Sequence, residues 1–70
     1  MTDRRILRLG KKIRTTRRQI GLSQEALAYE SGLDRGYVGR IERGETNITV
    51  VKLLQISDAL EVPMRELVEF

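Results

Sequence analysis

Apolar positions along the chain fall into five short stretches with helical spacing, separated by glycines or cap residues. In the first, Ile6, Leu9, Ile13, Thr16 and Ile20 recur at three- and four-residue steps, which predicts an inner stripe on a helix over residues 2–20. Gly21 ends that helix and Leu22 packs the corner. A second helix is predicted from Ser23, whose side-chain oxygen suits an N-cap. Glu25 then sits near the positive end of the helix dipole, and Leu27, Ala28 and Ser31 face inward. Ala28 is small enough for another helix to cross close to it, and Gly32 supplies the left-handed residue that a tight turn needs. The third helix starts at the cap residue Asp34, and Asp34, Tyr37, Val38 and Ile41 share its inner face. Gly44 closes it. Thr49 caps a fourth helix with a predicted inner face of Val50, Leu53, Leu54, Ser57 and Leu60, which leaves Val51 exposed. Pro63 fits the first position of a fifth helix, in which Leu67 closes the core while Met64, Val68 and Phe70 leave apolar surface over. The expected fold is all-α, a compact bundle of about five short helices in one domain over residues 1–70.

The outer face of the third helix carries Arg35, Gly36, Gly39, Arg40 and Arg43. A glycine inside a helix costs about 1 kcal/mol relative to alanine, so a helix made only for stability would not hold two. One reading is that Gly36 and Gly39 let the backbone come close to another surface, with Arg35 and Arg40 flanking the approach. The other is a solvated basic face with two tolerated glycines.

Charge favours the first. The net charge is +3, and its distribution is uneven. Up to Arg18 the cations are Arg4, Arg5, Arg8, Lys11, Lys12, Arg14, Arg17 and Arg18, against Asp3 alone. From Glu45 onward the acids are Glu45, Asp58, Glu61, Glu66 and Glu69, against Lys52 and Arg65. A basic end beside an arginine-faced helix is the electrostatic footprint of a nucleic-acid binder. Arg14, Arg17 and Arg18 lie nearest the second and third helices and are the phosphate candidates of this region.

Composition then removes other classes. With no cysteine and no histidine there is no disulfide framework, no thiolate metal site and neither the commonest general base nor the commonest metal ligand, and the scattered carboxylates and lysines form no paired site, so neither an enzyme nor a metal or cofactor site is expected. The charged N-terminus does not read as a signal peptide, and no apolar run is long enough to span a membrane, which points to the cytoplasm and away from a membrane partner. A chain of 70 residues buries only about 60% of its unfolded surface and gains from a partner subunit. Val51, Met64, Val68 and Phe70 are the candidate contacts of a homodimer.

The stretch from Gln24 to Arg43, QEALAYESGLDRGYVGRIER, resembles the helix-turn-helix of the lambda-repressor-like (Cro/repressor) family of bacterial and phage regulators. The matching residues are Gln24 opening the first helix of the pair, Leu27 and Ala28 within it, and Gly32 in the turn. Val38 and Ile41 match the inner face of the second helix, and IERG (Ile41 to Gly44) closes it. SGLDRGYVGRIERGETNITV is especially similar to small stand-alone regulators, including the controller proteins of restriction–modification systems, and the likeness runs from about Leu9 to Val68. Two positions depart from the family pattern. Gly36 and Gly39 stand where members often have side chains that touch DNA, and Ile48 stands where many have proline.

The resemblance implies a sequence-specific double-stranded DNA-binding transcriptional regulator, nucleoid-associated, that meets a palindromic operator as a homodimer. The third helix would enter the major groove, with Arg35 and Arg40 donating to guanine and Gly36 and Gly39 allowing close approach, against thymine methyls for example. Gln24, Tyr37, Arg43, Thr46, Asn47, the first-helix arginines and the helix N-terminus at Ser23 and Gln24 would hold phosphates. Thr46 and Asn47 also read as plain turn residues. Arg17 has two readings of equal weight. It pairs with Glu42, bridging the first helix to the end of the third, or it turns toward a phosphate. Half-sites would lie about 34 Å apart. RNA polymerase is a possible further partner, and no small-molecule ligand is expected. The alternative function is a protein-interaction module of the same fold, antitoxin-like or polymerase-contacting.

Overall fold

Asp3 caps the first helix. The computed structural model of the protein describes residues 3–68, and in it the Asp3 carboxylate accepts from the Arg5 backbone N–H at 2.8 Å. The helix α1 (Arg4–Gln19) follows, then α2 (Gln24–Ser31), α3 (Arg35–Glu42), α4 (Val50–Leu60) and α5 (Met64–Leu67). Among the described residues there are five helices and no strand.

Three of the starts use the caps legible in the sequence. Ser23 Oγ accepts from Ala26 N–H at 3.0 Å, the Asp34 carboxylate from Tyr37 N–H at 3.1 Å, and Thr49 Oγ1 from Lys52 N–H at 3.2 Å. Pro63 differs from expectation. It is the extended cap before α5 rather than the first helical residue. Between α2 and α3, Gly32 sits at φ 72°, and Leu33 N–H donates back to the Ala28 carbonyl at 2.9 Å, which closes a turn of three residues, Gly32 to Asp34. Glu61 ends α4 at φ 57°, a left-handed position that nothing in the sequence announces.

The core gathers Leu9 and Ile13 of α1, Leu27 and Ala28 of α2, Val38 and Ile41 of α3, Leu53, Ile56 and Leu60 of α4, and Leu67 of α5. Each large apolar side chain buried this way stabilises by about 1.5–3 kcal/mol. Ala28, Val38, Ile41 and Leu67 fill the inward positions expected of them.

Other positions shift. Ile20 is 47% exposed, because α1 has ended and the chain turns before that side chain reaches the core. In α4 the inner stripe is Leu53, Ile56, Ser57 and Leu60. Val50 and Leu54, expected inside, are 64% and 44% exposed. The two stripes differ by a fraction of a turn, and only the position of the neighbouring helices decides between them. Met64 lies partly buried against the core, so it is not an open contact surface, whereas Val51 and Val68 are exposed. Phe70 lies outside the described residues.

Gly10 explains how α1 meets α3. A Cβ there would collide with the Ile41 carbonyl oxygen and come within 2.7 Å of the Glu42 carbonyl oxygen. The two helices cross backbone to backbone at the last turn of α3, a contact only glycine permits. Nearby, the missing side chain of Gly44 admits Leu7 of α1. These two contacts fix α1 against the end of α3.

Candidate nucleic-acid interface

Where α1, α2 and α3 meet, the chain buries a polar node. Arg17 Nε donates to Glu42 Oε2 at 2.7 Å and Arg17 Nη2 to Glu42 Oε1 at 3.0 Å, a two-pronged pair. Arg17 Nη1 donates to the Leu22 carbonyl at 2.8 Å, and Gln24 Nε2 adds a bond to Glu42 Oε1 at 3.0 Å. The side chains are 8% and 1% exposed for Arg17 and Glu42. Charges removed from water this completely need such saturation, since an unpartnered one is strongly destabilising. The node settles the double reading of Arg17. It is the pairing residue, and its burial takes it out of the phosphate set.

The node also positions Gln24. Its side chain reaches from the start of α2 toward α3, where the half-buried amide donates to Glu42. What α2 presents outward at that point is its first-turn backbone N–H groups and the exposed Ser23.

Along α3, Arg35, Gly36 and Arg40 are exposed and Val38 and Ile41 are buried. Gly39, expected on the open face beside Gly36, is buried. A Cβ built on it would lie 3.1 Å from Arg43 Nη1 and 3.6 Å from Gln24 Oε1, so these two side chains roof it. Gly36 has a local reason as well, since a Cβ there would stand 3.0 Å from the capping Asp34 carboxylate and 3.7 Å from Arg40 Nη1. The open face of α3 is therefore narrower than periodicity suggests, with Arg35 and Arg40 on either side of Gly36 and Arg43 at the edge. Arg43 Nε lies 3.0 Å from a Glu45 carboxylate oxygen, but both groups are more than half exposed and the pair is worth little.

Tyr37 is half-buried. Its hydroxyl donates to the Asn47 carbonyl at 3.3 Å, the same carbonyl that accepts from Thr46 Oγ1 at 3.3 Å. This ties the loop after α3 to α3 itself. Lys52 Nζ lies 4.6 Å from the centre of the Tyr37 ring, and Arg40 Cζ lies 5.7 Å from it. Lys52 was not among the residues singled out from sequence. Its signal was there, as one of two cations in the otherwise acidic stretch from Glu45 onward. Arg14 and Arg18 are exposed on α1, as are Arg43 and Asn47, with Thr46 intermediate.

Three acids collect elsewhere. Glu30, Asp58 and Glu61 surround a separate groove lined by Ile20, Leu22 and Ala59. No cluster of three metal-ligating side chains occurs among the described residues, and none of the described helices is long and apolar enough to cross a membrane.

Set beside known proteins, this arrangement has close counterparts. A helix-turn-helix family model matches residues 13–67. The control protein C.BamHI of Bacillus amyloliquefaciens is 39% identical over 71 residues, spanning 100% of this chain and 88% of that protein. The transcriptional regulator SlrR of Bacillus subtilis is 43% identical over 60 residues, which cover 84% of this chain and 40% of that protein. The crystal structure of the restriction–modification controller protein C.AhdI from Aeromonas hydrophila superposes with a TM-score of 0.87 at 47% identity, covering 89% of this chain and 94% of that one. On that agreement of sequence and backbone, the chain belongs to the helix-turn-helix family of non-enzymatic, DNA-binding transcriptional regulators and is similar to its restriction–modification controller proteins.

Proposed function

We propose that the protein binds a palindromic operator in double-stranded DNA as a homodimer, with α3 in the major groove. The observation that carries this is the outer side of α3. Arg35 and Arg40 are exposed about the single open glycine Gly36, while the rest of the helix is buried or roofed. Arginine paired to guanine O6 and N7 is the commonest specific contact and discriminates by about 1–3 kcal/mol. With two such side chains per subunit, DNA shape supplies part of the preference. Arg14, Arg18 and Arg43, the N–H groups at the start of α2, Ser23, and the loop at Thr46 and Asn47 hold phosphates and set the register. The Tyr37 hydroxyl serves this indirectly, by holding the loop.

The dimer forms through α4 and α5. Val50, Val51, Leu54 and Val68 give this end of the chain an exposed apolar surface, which a second copy would cover. Val50 and Leu54 thus replace Met64 in the contact set. The single domain of residues 1–70 then holds both functions, reading with α3 and pairing with α4 and α5. Control acts through concentration and pairing, with no small-molecule ligand and with RNA polymerase as a further partner.

Selection from random duplexes tests the proposal. A two-fold symmetric sequence with half-site centres about 10 base pairs apart is the expected product. Sedimentation of Val51→Glu should give a monomer with weakened operator binding. An enriched site without symmetry, or a monomeric wild type that binds at full affinity, contradicts the dimer.

A further inference from the structure

Beyond the α3 face, a second cationic feature lies along α1. Arg4, Arg8, Lys11 and Arg14 fall on one side of that helix at three- and four-residue steps, the side opposite Ile13 and Thr16. Together with Arg43 of α3 they line an open groove of about 560 Å³. Its floor is Leu7, seated against Gly44. Its one carboxylate, Glu42, is already bonded to Arg17 and Gln24. Among the described residues, none of Arg4, Arg8, Lys11 and Arg14 has an acidic partner within 4.0 Å, whereas Arg5, off this side, is paired to Asp3. Like charges at such spacing repel, so the stripe works against the helix that carries it.

We propose that this groove takes the phosphodiester backbone of duplex DNA beyond the half-site read by α3, with Arg4, Arg8 and Lys11 as its phosphate partners. The proposal rests on the reading of α3 given above. Three observations favour DNA as the occupant. Arg43 belongs both to the edge of the α3 face and to the groove wall, so the two surfaces are continuous. The Gly10 and Gly44 contacts hold α1 rigidly against the end of α3, so the cations keep a fixed place relative to the reading helix. Finally, the ten residues from Arg4 to Arg14 rise about 15 Å along the helix. Over about that axial distance one DNA strand presents roughly four phosphates.

The test compares wild type with the triple variant Arg4→Gln, Arg8→Gln, Lys11→Gln on two duplexes. One carries the selected operator alone, the other the operator with ten further base pairs on each side. Glutamine keeps helix propensity, and these side chains are exposed, so the fold should hold, as circular dichroism would show. Wild type should bind the longer duplex about tenfold more tightly or better, with a steeper salt dependence. The variant should bind the short operator with unchanged base preference and gain little from the flanks. Its salt slope on the long duplex should be shallower by up to about 2.7 per subunit. Independently, hydroxyl-radical footprints of wild type should extend past the half-sites. A variant with the wild-type slope and wild-type gain from the flanks overturns the proposal, and so does a groove that binds poly-glutamate while the DNA slope stays unchanged. A wild type with no preference among duplexes sinks the reading of α3, and this proposal with it.

Discussion

At the junction of α1, α2 and α3, Arg17 lies buried against Glu42, with one further bond from Arg17 to the Leu22 carbonyl and one from Gln24 to Glu42, while on the outer side of α3 Arg35 and Arg40 are exposed. The residue type is the same in both regions, and the surroundings assign opposite work. A guanidinium held in a rigid fork by a buried carboxylate joins α1 to α3, and its burial keeps it from a ligand. An exposed guanidinium contributes little to the fold and is available to bind. The burial of a cation, not its presence in a basic stretch, separates architecture from recognition.

The largest effect should come from splitting the buried node. Arg17→Ala leaves Glu42 buried without its cation, at a cost of about 3–5 kcal/mol. A small domain has only about 5 kcal/mol or somewhat more to lose, so the variant should be largely unfolded by circular dichroism at 25 °C. Replacing both partners sharpens the point. Arg17→Met with Glu42→Leu should stay folded where the single variant fails, since apolar pairs of similar volume are often neutral or better. Close in size is Gly10→Ala, which must push α1 away from the α3 backbone. Overpacking of this kind costs about 1–3 kcal/mol, readable as a lower urea midpoint.

These two residues show what the sequence could and could not say. The helix-turn-helix, its caps Ser23 and Asp34 and its turn glycine Gly32 were legible because each depends on neighbours within a few residues. The pair Arg17–Glu42 is 25 residues apart in sequence, and only the family resemblance suggested it. Gly10 gave a signal, a glycine inside a strong helix, but its reason is a carbonyl on another helix. The α4 stripe went astray for the same cause, since Val50 and Leu54 satisfy the helical period as well as Ile56 does, and packing against α2 and α5 chooses between them. Gly39 was assigned to the open face because periodicity fixes where a Cα points but not which side chains lie over it.

A smaller effect separates the ends of the comparison by pH. The Arg5 side chain, hydrogen-bonded to Asp3, holds the Asp3 carboxyl down to about 2 from 3.8. A lowered carboxyl stabilises the fold above its unfolded value and loses that contribution as pH falls from 3.8 through about 2. Because the pair is exposed and at the end of the helix, the expected consequence is local. Carbon NMR of Asp3 should titrate near pH 2, with fraying confined to the first turn of α1, and Asp3→Asn should abolish that pH dependence.

The central claim is that the exposed arginines of α3 read DNA without supporting the fold. The direct measurement is Arg35→Ala with Arg40→Ala, taken through urea unfolding and through binding to the selected operator and to a scrambled duplex in parallel. The account predicts an unfolding midpoint close to wild type, within about 0.5 kcal/mol, as for surface substitutions generally. Operator preference should fall by about 1–3 kcal/mol for each arginine, leaving the weak, salt-sensitive binding of any cation to DNA. A variant that keeps the operator preference of wild type, or one that loses binding only because it unfolds, would contradict it.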